Sequence, residues 1–218
     1  MGLNVKKRTL IGILGAIILQ GWWMAPVMAS TTSGPYPYWY SYLGPKVSNQ
    51  TIYSLAKTPT GTLVVDAQNG VYEESSSGWT ELGNGPYSPE SASTALAVNP
   101  TTGSIVVGSS GVMSQYTGVY TWQSGQWTPL GNNDPNVPMT SLVYGPGSKP
   151  TLYAGTTVGP FALENGTWVS LNAPSSSDYC GSIAINPNGD VVVGTVGGHV
   201  WQDANGNWTQ LGTTAVAP

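Results

Sequence analysis

After residue 30 no long stretch keeps apolar residues at the three-and-four spacing of an amphipathic helix. Apolar residues come instead in short runs separated by Gly, Pro, Asn and Ser, a pattern that predicts strands joined by tight turns. The runs recur. Residues 79–83 read WTELG, 127–131 WTPLG, 168–172 WVSLN and 208–212 WTQLG. Seven residues before each Trp stands a second aromatic, Tyr72, Tyr120, Phe161 or Trp201, preceded by Val71, Val119, Pro160 or Val200. In the last three copies Gly125, Gly166 or Gly206 lies two residues before the Trp. Two extended segments around such a glycine predict a β-hairpin.

A second hairpin lies upstream in each copy. Leu55, Leu96, Leu142 and Ile183 are each followed four residues later by Pro59, Pro100, Pro146 and Pro187. The turns lead into TLVVD, SIVVG, TLYAG and DVVVG. The second copy carries an insertion, GSSGVMSQYT, between its hairpins. Each unit of about 40 residues therefore holds four short strands, and self-similarity at that period marks a repeat architecture. The expected units span about 51–83, 93–131, 139–172 and 180–212. Residues 40–44, YSYLG, overlay the fourth-strand motif with Tyr40 in place of Trp. Leu43 precedes Leu55 by twelve residues, the separation of Leu130 from Leu142 and of Leu171 from Ile183. Residues 40–44 are thus expected to form an extra fourth strand with no unit of its own. Four units closing by themselves, a partly filled fifth position, and completion by a second chain all remain open.

This organisation resembles the repeats of secreted bacterial β-propellers, including ligand-sensor propellers and the sialidase-like group, over roughly residues 40–212. The resemblance implies an all-β fold: a β-propeller of four complete four-stranded blades plus the extra N-terminal strand. It implies no particular activity, because many functions share the architecture. Sialidases hold the substrate carboxylate with three arginines, and beyond Arg8 this chain has none.

The N-terminus reads as a secretory signal over residues 1–29. Lys6, Lys7 and Arg8 form a basic region, Leu10 to Leu19 an apolar one, and Val27-Met28-Ala29 a small-residue cleavage site before Ser30. The propeller domain is then 30–218, and a membrane association arises only if the signal segment stays uncleaved. Past residue 29 three lysines face ten carboxylates, a formal charge of −7. That balance argues against nucleic acid as a partner. Charged residues are only 7% of the chain.

The repeated aromatics are expected between blades, in the core. His199 is the only histidine and Cys180 the only cysteine, so neither an intrachain disulfide nor a zinc site is expected, and no cofactor. No catalytic residues are assigned. Cys180 aligns with Ile52, Ser93 and Met139 at the entrance to a first strand, a place for a buried thiol. The ligand-binding candidates are acids and aromatics on one loop face. Glu90, Asp134 and Asp178 lie in the linkers between units, and Asp66 begins a loop between second and third strands. Tyr87, Tyr116 and Tyr179 share those loops, and Trp122, like Tyr38 and Trp39, stands outside the repeat register. Asn49, Asn165 and Asn207 head N-x-Thr sequons. The expected function is a secreted, non-enzymatic module that binds a glycan or a cell-envelope protein. A glycan-cleaving enzyme using loop carboxylates and a structural envelope component that oligomerises through the N-terminal strand are the alternatives.

Overall fold

Each unit of the repeat folds as a four-stranded antiparallel meander in the computed structural model, which describes residues 50–83, 93–109, 118–132, 136–174 and 179–212. The signal segment and residues 40–44 lie outside the described residues. The first blade comprises β1 (Ile52–Lys57), β2 (Leu63–Ala67), β3 (Gly70–Ser75) and β4 (Gly78–Glu81). The second comprises β5 (Ser93–Val98), β6 (Ile105–Ser109), β7 (Gly118–Gln123) and β8 (Gln126–Pro129). The third comprises β9 (Met139–Tyr144), β10 (Leu152–Thr156), β11 (Gly159–Glu164) and β12 (Thr167–Ser170). The fourth comprises β13 (Cys180–Ile185), β14 (Val191–Thr195), β15 (Val200–Ala204) and β16 (Asn207–Leu211). Strand order within each sheet follows the chain. The fold is all-β, a β-propeller with four complete four-stranded blades.

Turn chemistry sets the outer hairpins. Gln123 pairs with Gln126, Glu164 with Thr167 and Ala204 with Asn207, leaving two-residue loops. Asn165 and Gly166 sit at φ 48° and 77°, the left-handed conformation at both positions that matches the twist of paired strands. The inner hairpins share an irregularity. The first strand of every blade carries a bulge after its first residue, between Ile52 and Ser54, Ser93 and Ala95, Met139 and Ser141, and Cys180 and Ser182. The alignment of Ile52, Ser93, Met139 and Cys180 in sequence is therefore the start of this bulge in space.

The core lies between blades. One cluster joins Leu82 and Val71 of the first blade to Leu96, Val107 and Trp127 of the second. The next joins Ala97, Val106 and Val119 to Met139 and Trp168. The third packs Val143, Tyr153 and Leu171 against Ile183, Val193 and Trp208. Each junction carries the same hydrogen bond: the indole N–H of Trp127, Trp168 and Trp208 donates to the carbonyl of Leu82, Leu130 and Leu171, at 2.8, 2.7 and 2.9 Å. Of the repeated aromatics, Tyr72 and Trp168 are buried, Trp79, Tyr120, Trp127, Phe161 and Trp208 pack partly buried against the core clusters, and Trp201 joins none of them; Leu82, Leu130 and Leu171 are acceptors as well as apolar contacts. β1 packs on β5, β5 on β9 and β9 on β13, while no packing of that extent joins β13 to β1 among the described residues.

Candidate functional site

Antiparallel meanders place two kinds of turn on each face of the array. Turns within the inner hairpins share a face with turns within the outer hairpins, and the remaining loops occupy the other. On the first of these faces a groove of about 620 Å³ opens between the second and third blades. That volume falls in the range of small-molecule sites.

The groove arises where the repeat is broken. In the second and fourth blades the inner turn begins Asn-Pro and the Asn side chain caps it. Asn99 Oδ1 accepts the N–H groups of Thr101 and Thr102 at 2.9 and 3.0 Å, and Asn186 Oδ1 those of Asn188 and Asp190 at 3.0 and 2.9 Å. The first blade does the same with Thr58, whose hydroxyl accepts the N–H of Thr62. The third blade has no such capping side chain. Its turn, Gly-Pro-Gly-Ser-Lys-Pro-Thr over 145–151, is the longest of the four and is closed by the Gly145 N–H donating to Thr151 O at 2.8 Å. Ser148, Lys149 and Thr151 from this turn form one wall. Asn99, Thr101 and Thr102 form the opposite wall, and Leu163, Glu164 and Asn165 from the outer hairpin of the third blade complete the groove.

Asn99 lies beside the Tyr144 phenol on β9. Burial pushes the Tyr144 phenol above its ordinary value, and the Asn99 hydrogen bond partly offsets that shift. The lining thus presents hydroxyls and amides, one exposed lysine, one exposed glutamate and an apolar part that includes Leu163 and Pro150. It offers many neutral donors and acceptors, and Glu164 is its only carboxylate. Neither His199 nor Cys180 lines it. Cys180 is buried in the junction of the third and fourth blades, and its thiol is pushed up to about 11 by burial, with hydrogen bonds opposing. The His199 backbone closes the turn between β14 and β15 through Thr195.

The candidates read from the sequence fall elsewhere. Glu90, Asp134, Asp178, Tyr87 and Tyr116 lie outside the described residues. Asp66 is a correction: it stands inside β2, fully buried, and is not a loop acid. Its register position belongs to Gly108, Gly155 and Gly194 in the other blades, each paired across the bulge of its own first strand. Trp122 pairs with Trp127 across the hairpin, ring centroids 5.3 Å apart, and packs over Gly83 at the junction of the first and second blades. Tyr179 is 54% exposed just before β13, and its carbonyl accepts the Val196 N–H. Asp66, Trp122 and Tyr179 belong to different blades, and none of the three lines the groove. The groove residues escaped the sequence reading although a signal was present: Gly-Pro-Gly-Ser-Lys-Pro departs from the Asn-Pro turn of its neighbours.

No protein-family model and no curated protein matches the chain. Solved structures do. An ancestral GH74 enzyme aligns with a TM-score of 0.57 and 16% identity, over 73% of this chain and 25% of that one. YCF48 bound to a D1 peptide aligns with a TM-score of 0.51 and 18% identity, over 72% of this chain and 52% of that one. A protein of unknown function from Bacteroides caccae gives 0.50 and 16%, over 76% and 62%. Identities this low establish the propeller fold alone. The chain spans about a quarter of the length of the GH74 enzyme and about half that of YCF48.

Proposed function

We propose that this chain is a secreted, non-enzymatic β-propeller binding module whose groove between the second and third blades takes a hydroxyl-rich ligand, a glycan. The groove itself is the supporting observation. Its walls carry the hydroxyls of Thr101, Thr102, Ser148 and Thr151 together with Asn165, Lys149 and Glu164, groups that match sugar hydroxyls as both donors and acceptors. Glycoside cleavage by the usual route needs two carboxyl groups flanking the bond, and this groove presents Glu164 alone, which favours binding over hydrolysis. Secretion rests on the basic, apolar and small-residue segments of residues 1–29.

A glycan array probed with the purified protein, followed by calorimetric titration of the strongest hit, tests the reading. Lys149→Ala and Glu164→Gln are both exposed changes, and each should weaken the hit about tenfold or more while leaving the melting temperature unchanged. Full binding by both variants would move the site off this groove. Release of shortened saccharide would convert the binding module into an enzyme. Mass spectrometry of protein recovered from the medium should find Ser30 at the N-terminus.

A further inference from the structure

The two ends of the blade array are finished differently. At the fourth blade, Gln202 and Thr209 pair on the outward face, and Gln202 Nε2 donates to Asp190 Oδ2 at 2.9 Å. In the second and third blades the position of Gln202 belongs to Thr121 and Ala162, both buried at a junction. A polar outer face is what a terminal repeat presents to solvent. The outward face of the first blade is divided instead. At the end where the chain enters β1, Val65, Ala67 and Tyr72 are 6%, 4% and 2% exposed. Toward the other end and along β1, Leu55, Lys57, Leu63 and Glu74 stand exposed. Tyr72 is more deeply buried than Tyr120, Phe161 and Trp201, its half-buried counterparts at the interior junctions. Among the described residues, the half-buried apolar side chains packed on Val65, Ala67 and Tyr72 are Ile52 and Trp79, which belong to the same blade. A sheet does not cover its own face, so burial of this depth needs another layer.

The covered half of this face is the half at which the chain arrives. β1 begins at Ile52, and Ile52 pairs with Ala67. We infer that residues 41–44, centred on Leu43, supply the layer over Val65 and Tyr72 as a fourth strand with no blade of its own. The repeat register carries the assignment. Residues 40–44 keep the fourth-strand pattern, and Leu43 precedes Leu55 by the twelve residues that separate Leu130 from Leu142 and Leu171 from Ile183. At those junctions Leu130 packs on the cluster that includes Leu142 and Trp168, and Leu171 on the one that includes Ile183 and Val193. The same spacing sets Leu43 against Val65, the counterpart of Val193. The nine residues from Leu43 to Ile52 reach about 30 Å when extended, ample for the ~10 Å step to a facing layer. A lone strand covers one strip of a sheet, which matches the division of this face. A whole blade, from a second copy or elsewhere, would also bury Leu55, as Leu96 and Ile183 are buried inside the array. The segment is a cap supplied by the same chain to the end that has no polar pair like that of Gln202 and Asp190.

Replacing Leu43 by the photoreactive p-benzoylphenylalanine tests the contact directly. After irradiation, digestion and mass spectrometry should find the new bond within residues 63–81 of the same chain, in a product with the mass of one chain. A bond to another blade, a product with the mass of two chains, or no bond at all overturns the inference. Amide hydrogen exchange gives a second measurement that adds no bulky group. Deleting residues 30–44 should speed exchange over residues 63–72 by about tenfold or more and leave residues 180–211 unchanged. Leu43→Asp should reproduce the effect should the deletion fail to fold, which circular dichroism checks. Unchanged exchange over residues 63–72 in the variants overturns the inference, as does protection that is lost on dilution of the unaltered chain, the mark of a second copy. These readouts need no glycan, so they stand apart from the groove.

Discussion

Trp168 is the most deeply placed of the repeat tryptophans, 1% exposed in the cluster that joins the second and third blades. Truncation to Ala removes a large buried aromatic, which costs about 3–5 kcal/mol. Part of that loss has a separate origin. The indole N–H donates to Leu130 O at 2.7 Å, and a buried carbonyl left without its donor costs about 1–3 kcal/mol. Trp168→Phe isolates this contribution, because the phenyl ring keeps most of the apolar contact and loses the donor. Trp79→Phe is the control: among the described residues Trp79 makes no equivalent hydrogen bond, so the exchange should fall within the ~0.5 kcal/mol typical of undemanding sites. At 2–4 °C per kcal/mol for a chain of this size, Trp168→Ala should lower the melting temperature by about 6–20 °C. Urea titrations followed by far-ultraviolet circular dichroism give the free energies directly. Equal costs for Trp168→Phe and Trp79→Phe would refute the claim that the indole-to-carbonyl bond holds neighbouring blades together. An unchanged Trp168→Ala would refute burial between blades altogether.

Gly155→Ala should be among the most damaging small substitutions, because a Cβ there would lie 2.5 Å from Ser141 Oγ and 2.8 Å from Cys180 Sγ, and overpacking of this kind costs about 1–3 kcal/mol; a melting temperature equal to the parent's would show that the third and fourth blades are not in close contact there. Stability should fall in alkali. Burial raises the Cys180 thiol from its ordinary 9.0 to about 11, so the folded state favours the neutral thiol; that advantage is complete below pH 9 and is lost as pH rises through 11. Tyr72 and Tyr144, both raised chiefly by burial, act in the same direction at higher pH. Denaturant midpoints of the parent and of Cys180→Ala should therefore converge between pH 8 and pH 11, and parallel curves would mean that the thiol does not titrate differently on unfolding.

The sequence by itself determined the blades. Tandem positions such as Trp127, Trp168 and Trp208, with Gly125, Gly166 and Gly206 two residues earlier, encode hairpins locally, because a two-residue turn and its flanking pair need nothing from the rest of the chain. The same repetition marked the aromatics as core and placed Cys180 in register with Ile52, Ser93 and Met139, which the structure reveals as a shared bulge. What a repeat cannot convey is where it stops being equivalent. Leu55 and Leu96 look alike in sequence, yet one is exposed and the other buried, since burial depends on a neighbouring blade and not on the residue. Asp66 read as a loop acid because carboxylates favour solvent, and only the pairing of β1 with β2 places it inside. Trp122 read as free of the repeat until the junction of the first and second blades closed over it. The groove had a local trace in the turn at 145–151, but its second wall comes from residues 99–102, some fifty positions earlier. Only the packing of one blade against the next brings those walls together, because side chains that distant in sequence meet through long-range contacts that no local pattern specifies.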